Sequence, residues 1–82
     1  MDKLKLLKDV NIIDIRTPSA YNKNHLPEAV NYTYNNLIKN YSLYLDKEEV
    51  YYVYCTSGQM SKQLCKILNK KGYNLVAVIG GL

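Results

Sequence analysis

The residue of this chain best suited to chemistry is Cys55, which ends an apolar, β-rich run that begins at Val50. A short loop with Gly58 follows, and residues 60–71 then show a helical pattern with apolar side chains on one side. The N-terminus of a helix stabilises an anion through its unpaired N–H groups and its dipole. Because a thiolate is an anion, this position lowers the pKa of a cysteine from about 8.5 to ~3.5–7.5. The pattern predicts a reactive thiolate beside a site for a substrate's charge; the alternative is an inert buried cysteine.

The elements that must position this cysteine alternate along the chain. Strands are predicted at residues 11–15, 29–32, 50–55 and 75–79, and helices at residues 1–8, 34–41 and 60–71, with a short helical turn from Pro18 to Tyr21. Such alternation predicts a parallel sheet with right-handed crossovers, in which sites lie at the carboxyl ends of the strands. Asp14, Arg16 and Cys55 are all expected at that edge.

Length and composition set the broad class of protein. The 82 residues fit one domain, 1–82, and 48% hydrophobic residues are enough for a core. A net charge of +4 from scattered lysines does not favour a nucleic-acid site. No signal peptide and no run of about 18 apolar residues is found, so neither export nor a membrane span is expected. Two cysteines then indicate free thiols in the reducing cytoplasm. One histidine, His25, distant in sequence from both cysteines, makes a metal site unconvincing.

Three segments in order resemble the rhodanese family. They are residues 13–16 (Ile-Asp-Ile-Arg) with Tyr21, residues 25–27 (His-Leu-Pro), Ala29 and Asn31; residues 53–58 (Val-Tyr-Cys-Thr-Ser-Gly); and residues 78–81 (Val-Ile-Gly-Gly). The chain therefore resembles a single-domain rhodanese over nearly its whole length. The resemblance implies an α/β fold: a small three-layer rhodanese-like domain with a central, mostly parallel sheet. The family's first strand and its C-terminal helix have no counterpart in these residues.

The resemblance also implies a sulfurtransferase. The thiolate of Cys55 would take the outer sulfur of thiosulfate or a persulfide donor, become a persulfide, and give that sulfur to a thiophilic acceptor such as a thiol, cyanide or a sulfur-accepting protein. No cofactor and no metal are implied. The substrate would be bound by the loop after Cys55 together with a cation of the first motif. These substrate-binding residues are Thr56, Ser57, Gly58, Gln59, Met60, Ser61 and Arg16.

The chain departs from the family pattern at three positions. Met60 stands where the family often carries arginine, whose fork of donors would bind an oxyanion. Asn24 and Glu28 stand where the family usually carries glycine; asparagine tolerates left-handed backbone geometry and glutamate tolerates it poorly. A change from Met60 to arginine is expected to raise turnover with thiosulfate.

The sequence leaves other functions of the chain, and other roles of single residues, open. A rhodanese-fold binding or regulatory module with little turnover is the main alternative to an enzyme. A cysteine phosphatase is disfavoured, because its loop needs arginine where this chain has Ser61. Cys65 is either a resolving thiol for Cys55 or a buried bystander, and His25 either a proton donor or a packed side chain. The pair Asp14 and Arg16 either shapes the potential of the pocket or ties the strand end to the following loop.

One face of the predicted sheet is expected to be incompletely covered. A parallel sheet needs cover on both faces, and with no helix after residues 80–81 one face has only the predicted helix 1–8. Apolar residues of the strands at 11–15 and 75–79 should then be partly exposed. Because an exposed patch of more than a few hundred Å² usually marks an interface, a homodimer or a bound partner is expected there.

Overall fold

The computed structural model describes residues 11–56 and 58–78. In chain order its elements are β1 (Asn11–Asp14), α1 (Pro18–Lys23), β2 (Ala29–Asn31), α2 (Tyr34–Tyr44), β3 (Val50–Tyr54), α3 (Gln59–Lys70) and β4 (Asn74–Ala77). The predicted α/β alternation is confirmed. The predicted helix at residues 1–8 lies outside the described residues, as do the end of the last predicted strand and the glycine pair at 80–81.

The four described strands form one sheet in the order β2-β1-β3-β4, and every pairing is parallel. In the register of the two central strands, Ile13 lies opposite Val53 and Asp14 lies opposite Tyr54. The chain leaves both strands at the same edge of the sheet. Arg16 and Cys55 are therefore brought close together although 39 positions separate them, as the sequence predicted.

The core lies between one face of this sheet and the helices α2 and α3, which contact each other. Leu64 and Leu68, one turn apart on α3, are completely buried against the sheet together with Val53 and with Leu37 of α2. This amphipathic stripe explains why α3 forms where the sequence predicted it, because burial of an apolar face supplies most of a helix's stability.

Local signals account for the helix ends. The hydroxyl of Thr17 accepts a hydrogen bond from the N–H of Ala20, and Pro18 occupies the first turn of α1, which it favours. Thr33 caps α2 in the same way. Helix α2 runs three residues past its predicted end at Tyr41, across a kink at Asn40.

Glu28 and Asn24 differ in backbone conformation. Glu28 has φ 71°, the left-handed conformation expected to suit glutamate poorly. Asn24 has φ −165°, an extended conformation that any residue adopts, so its tolerance of left-handed geometry is not used. Asn24 ends α1 with its N–H bonded to the carbonyl of Ala20, which fixes the extended exit from the helix.

The face of the sheet away from α2 and α3 carries exposed apolar side chains. Val50 and Val76 are 41% and 44% exposed. Because successive side chains of a strand point to opposite faces, these two valines lie on the other face from their core neighbours Tyr51 and Leu75. Whether a second copy or a partner covers them stays a prediction. Within residues 11–56 and 58–78, no helix has the length and apolar character needed to cross a membrane.

Candidate active site

The sulfur of Cys55 lies at the carboxyl end of the central strand β3, under the first turn of α3. The residue is only 4% exposed. Its Sγ atom accepts hydrogen bonds from the backbone N–H groups of Gly58, at 3.1 Å, and Ser61, at 3.3 Å. Gly58 is the N-cap of α3, with φ 86° and ψ −15°. Because this left-handed conformation suits glycine best, the residue type is what allows the loop to turn its amides toward the sulfur.

Ser61 supports the same loop with its side chain. The residue is completely buried, and its hydroxyl donates to the carbonyl oxygen of Gly58 at 3.0 Å. The N–H of Lys62 donates to that carbonyl at 3.2 Å. These two hydrogen bonds to the Gly58 carbonyl therefore stabilise the turn that directs two amides at Cys55.

The two cysteines differ in acidity. Burial works to raise the pKa of Cys55, but hydrogen bonds from Ser61, Gly58 and Met60 outweigh it and leave the pKa below its ordinary value. Burial, with a smaller contribution from the charge of Cys55, raises the pKa of Cys65 to about 11. Both thiols are free. Cys55 is thus the stronger candidate for a nucleophile, and Cys65 has the properties of a buried bystander.

Arg16 and Asp14 form a buried ion pair beside the site. The guanidinium makes three contacts of 2.8–3.1 Å to the two carboxylate oxygens of Asp14, and the backbone N–H of Arg16 adds a fourth at 2.8 Å. Burial of Asp14 opposes ionisation, but these bonds keep its pKa below the usual value. A terminal nitrogen of Arg16 also donates to the carbonyl of Asn24, and the guanidinium carbon lies 5.6 Å from the Tyr54 ring centroid. The pair ties the strand end to the following loop.

Two side chains that belong to the sequence motifs, but were given no role of their own, reinforce this edge of the sheet. The amide of Asn31 donates to the carbonyl oxygens of Asp14 and Arg16. The hydroxyl of Tyr54 accepts from the N–H of Leu26 at 3.0 Å. The sequence signal for such a role is a polar atom on a side chain at the end of a predicted strand, because polar atoms that become buried are normally hydrogen-bonded.

His25 is exposed, and its side chain contacts Tyr21. Its ring stacks on Tyr21 with centroids 3.8 Å apart, and its Nδ1 lies 2.8 Å from the carbonyl oxygen of the same residue. That geometry requires Nδ1 to carry the hydrogen. The proton-donor interpretation gains no support from these contacts.

A cavity of about 250 Å³ opens beside the sulfur. The described residues that line it are Ile15, Arg16, Thr17, Ala20, Cys55, Thr56 and Met60. Of the predicted substrate-binding residues, Arg16, Thr56 and Met60 line this space, and Gly58 and Ser61 contact the sulfur through their backbone. Gln59 is the first residue of α3. Ser57 lies outside the described residues. Their roles with a substrate stay predictions.

A second cavity, of about 300 Å³, is bordered by Asn11, Glu28 and Tyr44 among others. Cys55 is not among its described lining residues. In the part of the chain that the structure describes, no cluster of three or more histidine, cysteine, aspartate or glutamate side chains could hold a metal ion.

The fold and the cysteine loop together define a rhodanese-like domain, and the chain belongs to that family: the sequence model of the rhodanese-like domain matches residues 2–82. Thiosulfate sulfurtransferase PspE of Escherichia coli K12 is 34% identical over 71 residues, covering 85% of this chain and 68% of that protein. Adenylyltransferase and sulfurtransferase uba4 of Ogataea parapolymorpha is 35% identical over 83 residues, but the match spans only 21% of that protein. The crystal structure of SSP1007 from Staphylococcus saprophyticus superposes with a TM-score of 0.85 at 34% identity, covering 96% of this chain and 80% of that one. The resemblance stated from the sequence is thereby confirmed.

Proposed function

We propose that this protein is a sulfurtransferase that carries a sulfane sulfur atom as a persulfide on Cys55. The observation that carries the proposal is the buried Sγ atom that accepts N–H groups from Gly58 and Ser61 at the first turn of a helix. Those groups stabilise the thiolate that attacks and the persulfide anion that forms, because the negative charge lies on Sγ before the transfer and on the adjacent outer sulfur after it. The sulfurtransferase names of the relatives support this chemistry.

The first step loads the sulfur. With thiosulfate, the Cys55 thiolate attacks the outer sulfur, a new S–S bond forms, and the old S–S bond breaks with its electron pair leaving on sulfite. Charge balances, because a monoanion and a dianion give a persulfide monoanion and a sulfite dianion. A persulfide donor would lose a thiolate instead of sulfite.

The second step unloads the sulfur. A thiophilic acceptor attacks the outer sulfur of the Cys55 persulfide, and the bond between the two sulfurs breaks to restore the thiolate. Cyanide then leaves as thiocyanate, and a thiol leaves as a persulfide. The acceptor could also be a sulfur-accepting protein. Two free thiols fit the reducing conditions of the cytoplasm, which we propose as the location.

One observation favours the alternative of a binding or regulatory module. Met60, 44% exposed at the cavity, offers no charge to an oxyanion. Such a module would keep the fold and turn over little or no sulfur.

Intact mass spectrometry tests the proposal. Wild-type protein is incubated with thiosulfate or a persulfide donor beside the variants Cys55→Ser and Cys65→Ser. We expect one added sulfur atom on wild type and Cys65→Ser, and none on Cys55→Ser. A sulfur atom that persists in Cys55→Ser and is lost in Cys65→Ser would contradict the assignment of Cys55.

A further inference from the structure

The cavity beside Cys55 has little charge to offer a donor. Arg16 is the one charged side chain among the described lining residues apart from the thiolate itself. Its guanidinium already donates to both carboxylate oxygens of Asp14, and the side chain is 9% exposed. The positive charge of Arg16 is therefore compensated within the protein before any substrate arrives.

The other described residues of the wall are uncharged. Ile15, Ala20 and Met60 contribute apolar surface, and Thr17 and Thr56 contribute the polar groups. The volume of about 250 Å³ is below the range of ~300–1,000 Å³ typical of drug-sized ligands. The space suits an uncharged group about the size of one amino acid.

Two backbone donors of the loop are also occupied. The N–H groups of Gly58 and Ser61 are directed at the sulfur of Cys55, which carries the negative charge of the attacking thiolate. A thiosulfate dianion would add two more negative charges beside the thiolate, with no uncompensated cation among the described lining residues. Like charges a few ångströms apart repel strongly in such a partly buried site.

We propose that the sulfur donor for this site is an uncharged organic persulfide, R–S–SH, in preference to thiosulfate. In the step, the Cys55 thiolate attacks the outer sulfur, the S–S bond of the donor breaks, and its electron pair leaves on R–S⁻. The proton stays with the transferred sulfur as the bond breaks and then passes to R–S⁻, so a thiolate and a neutral donor give the Cys55 persulfide anion and a neutral thiol. This inference rests on the proposed function, because it specifies the donor for the same cysteine.

A matched pair of donors tests the proposal. N-acetylcysteine persulfide and its methyl ester differ only in a carboxylate near the sulfur. The rate of sulfur loading on wild-type protein is followed by quenched intact mass spectrometry for both donors and for thiosulfate, with Cys55→Ser to subtract sulfur added elsewhere. We expect the ester to load at least about fivefold faster than the free acid and faster than thiosulfate.

Two variants at one position separate charge from shape. Met60→Arg places a cation at the cavity, so it is expected to reverse the order and to raise loading from thiosulfate. Met60→Gln adds polarity without charge, and the ester should still react ahead of the free acid. Circular dichroism of each variant checks that the fold is kept.

The source of the persulfide can be tested in the same assay. A capped tripeptide with a cysteine persulfide in the middle carries the same sulfur on a peptide backbone. Loading faster than from the ester indicates a protein-borne donor, and slower loading indicates a small molecule. Both results support an uncharged persulfide as the class of donor.

The failures are distinguishable. If thiosulfate or the free acid loads Cys55 as fast as the ester, the inference about the donor is wrong and the proposed function stands. If no donor loads Cys55, the proposed function is wrong and the inference falls with it.

Discussion

The Sγ atom of Cys55 and the backbone nitrogen of Ser61 lie 3.3 Å apart, although six positions separate the two residues in the chain. The left-handed Gly58 between them folds the loop back, so that the first turn of α3 directs its N–H groups at the end of β3.

The two thiols should titrate separately. We expect the rate of Cys55 alkylation to rise with a midpoint below the ordinary cysteine pKa of about 8.5, whereas Cys65 should stay protonated until about pH 11. The measurement is the pH dependence of iodoacetamide labelling, with peptide mapping to assign each site. Labelling of Cys65 ahead of Cys55 near neutral pH would contradict the assignment of the nucleophile.

The acidity of Cys55 also predicts a pH-dependent stability. Because the pKa is lower in the folded than in the unfolded protein, the stabilising contribution of the thiolate is complete above the unfolded pKa of about 8.5 and is lost as pH falls through the folded pKa. Urea unfolding of wild type and Cys55→Ser across this window checks the sign. A stability difference that runs in the opposite direction would mean that the folded protein favours the thiol.

The hydroxyl of Ser61 should matter to both the loop and the sulfur. Ser61→Ala removes its bond to the carbonyl of Gly58, and we expect a loss of about 1 kcal/mol in the free energy of unfolding. The pKa of Cys55 should rise toward its ordinary value, since the bond to Gly58 holds the turn whose N–H groups lower it. Ser42→Ala is the control, because Ser42 is exposed on α2. Equal effects of both variants would remove the special role of Ser61.

The ion pair of Asp14 and Arg16 should carry a large share of local stability. Asp14 is completely buried, so Asp14→Asn leaves Arg16 without its counter-charge, and we expect a cost of about 3–5 kcal/mol. Glu48→Gln, which alters an exposed carboxylate, is the control and should change stability little. A loss for Asp14→Asn as small as that of the control would show that the pair contributes little.

The same pair gives a second pH dependence. The folded pKa of Asp14 is lowered, so its contribution is complete above the unfolded pKa of about 3.9 and is lost as pH falls through the folded value. In urea unfolding, the stability difference between wild type and Asp14→Asn should therefore shrink in acid. A difference that grows as the pH falls would reverse the assignment.

The left-handed backbone of Glu28 predicts a stabilising substitution. At φ 71° a side chain costs roughly 1–2 kcal/mol, and glycine avoids this cost at an entropic penalty of roughly 0.5–1 kcal/mol. Glu28→Gly should therefore raise the free energy of unfolding by up to about 1 kcal/mol. Glu28→Ala is the matched control, because it removes the carboxylate and keeps the Cβ atom. A gain of the same size in the alanine variant would assign the effect to charge.

The sequence was sufficient to predict the sheet and the place of Cys55, for reasons that can be stated in particular residues. The apolar run that begins at Val50 is short and rich in β-forming residues, whereas Leu64 and Leu68 follow the 3.6-residue period of one helix face, and this difference distinguishes the strand from the helix.

Other features depend on contacts that sequence patterns do not carry. That Arg16 is bonded to Asp14, leaving its charge compensated, follows from the turn after β1. The extended conformation of Asn24 depends on how α1 ends against the same guanidinium. The role of Asn31 requires that β2 pair with β1, which only the fold establishes.

Transfer of the bound sulfur tests the central claim most directly. Protein loaded with sulfur is separated from excess donor and mixed with cyanide, and thiocyanate is quantified while intact mass is followed. The account predicts one thiocyanate for each Cys55 persulfide, at the rate at which the added sulfur atom disappears and with the unmodified thiol restored. Protein that keeps its sulfur in the presence of cyanide, or that was never loaded at Cys55, would contradict a sulfurtransferase and favour a binding module.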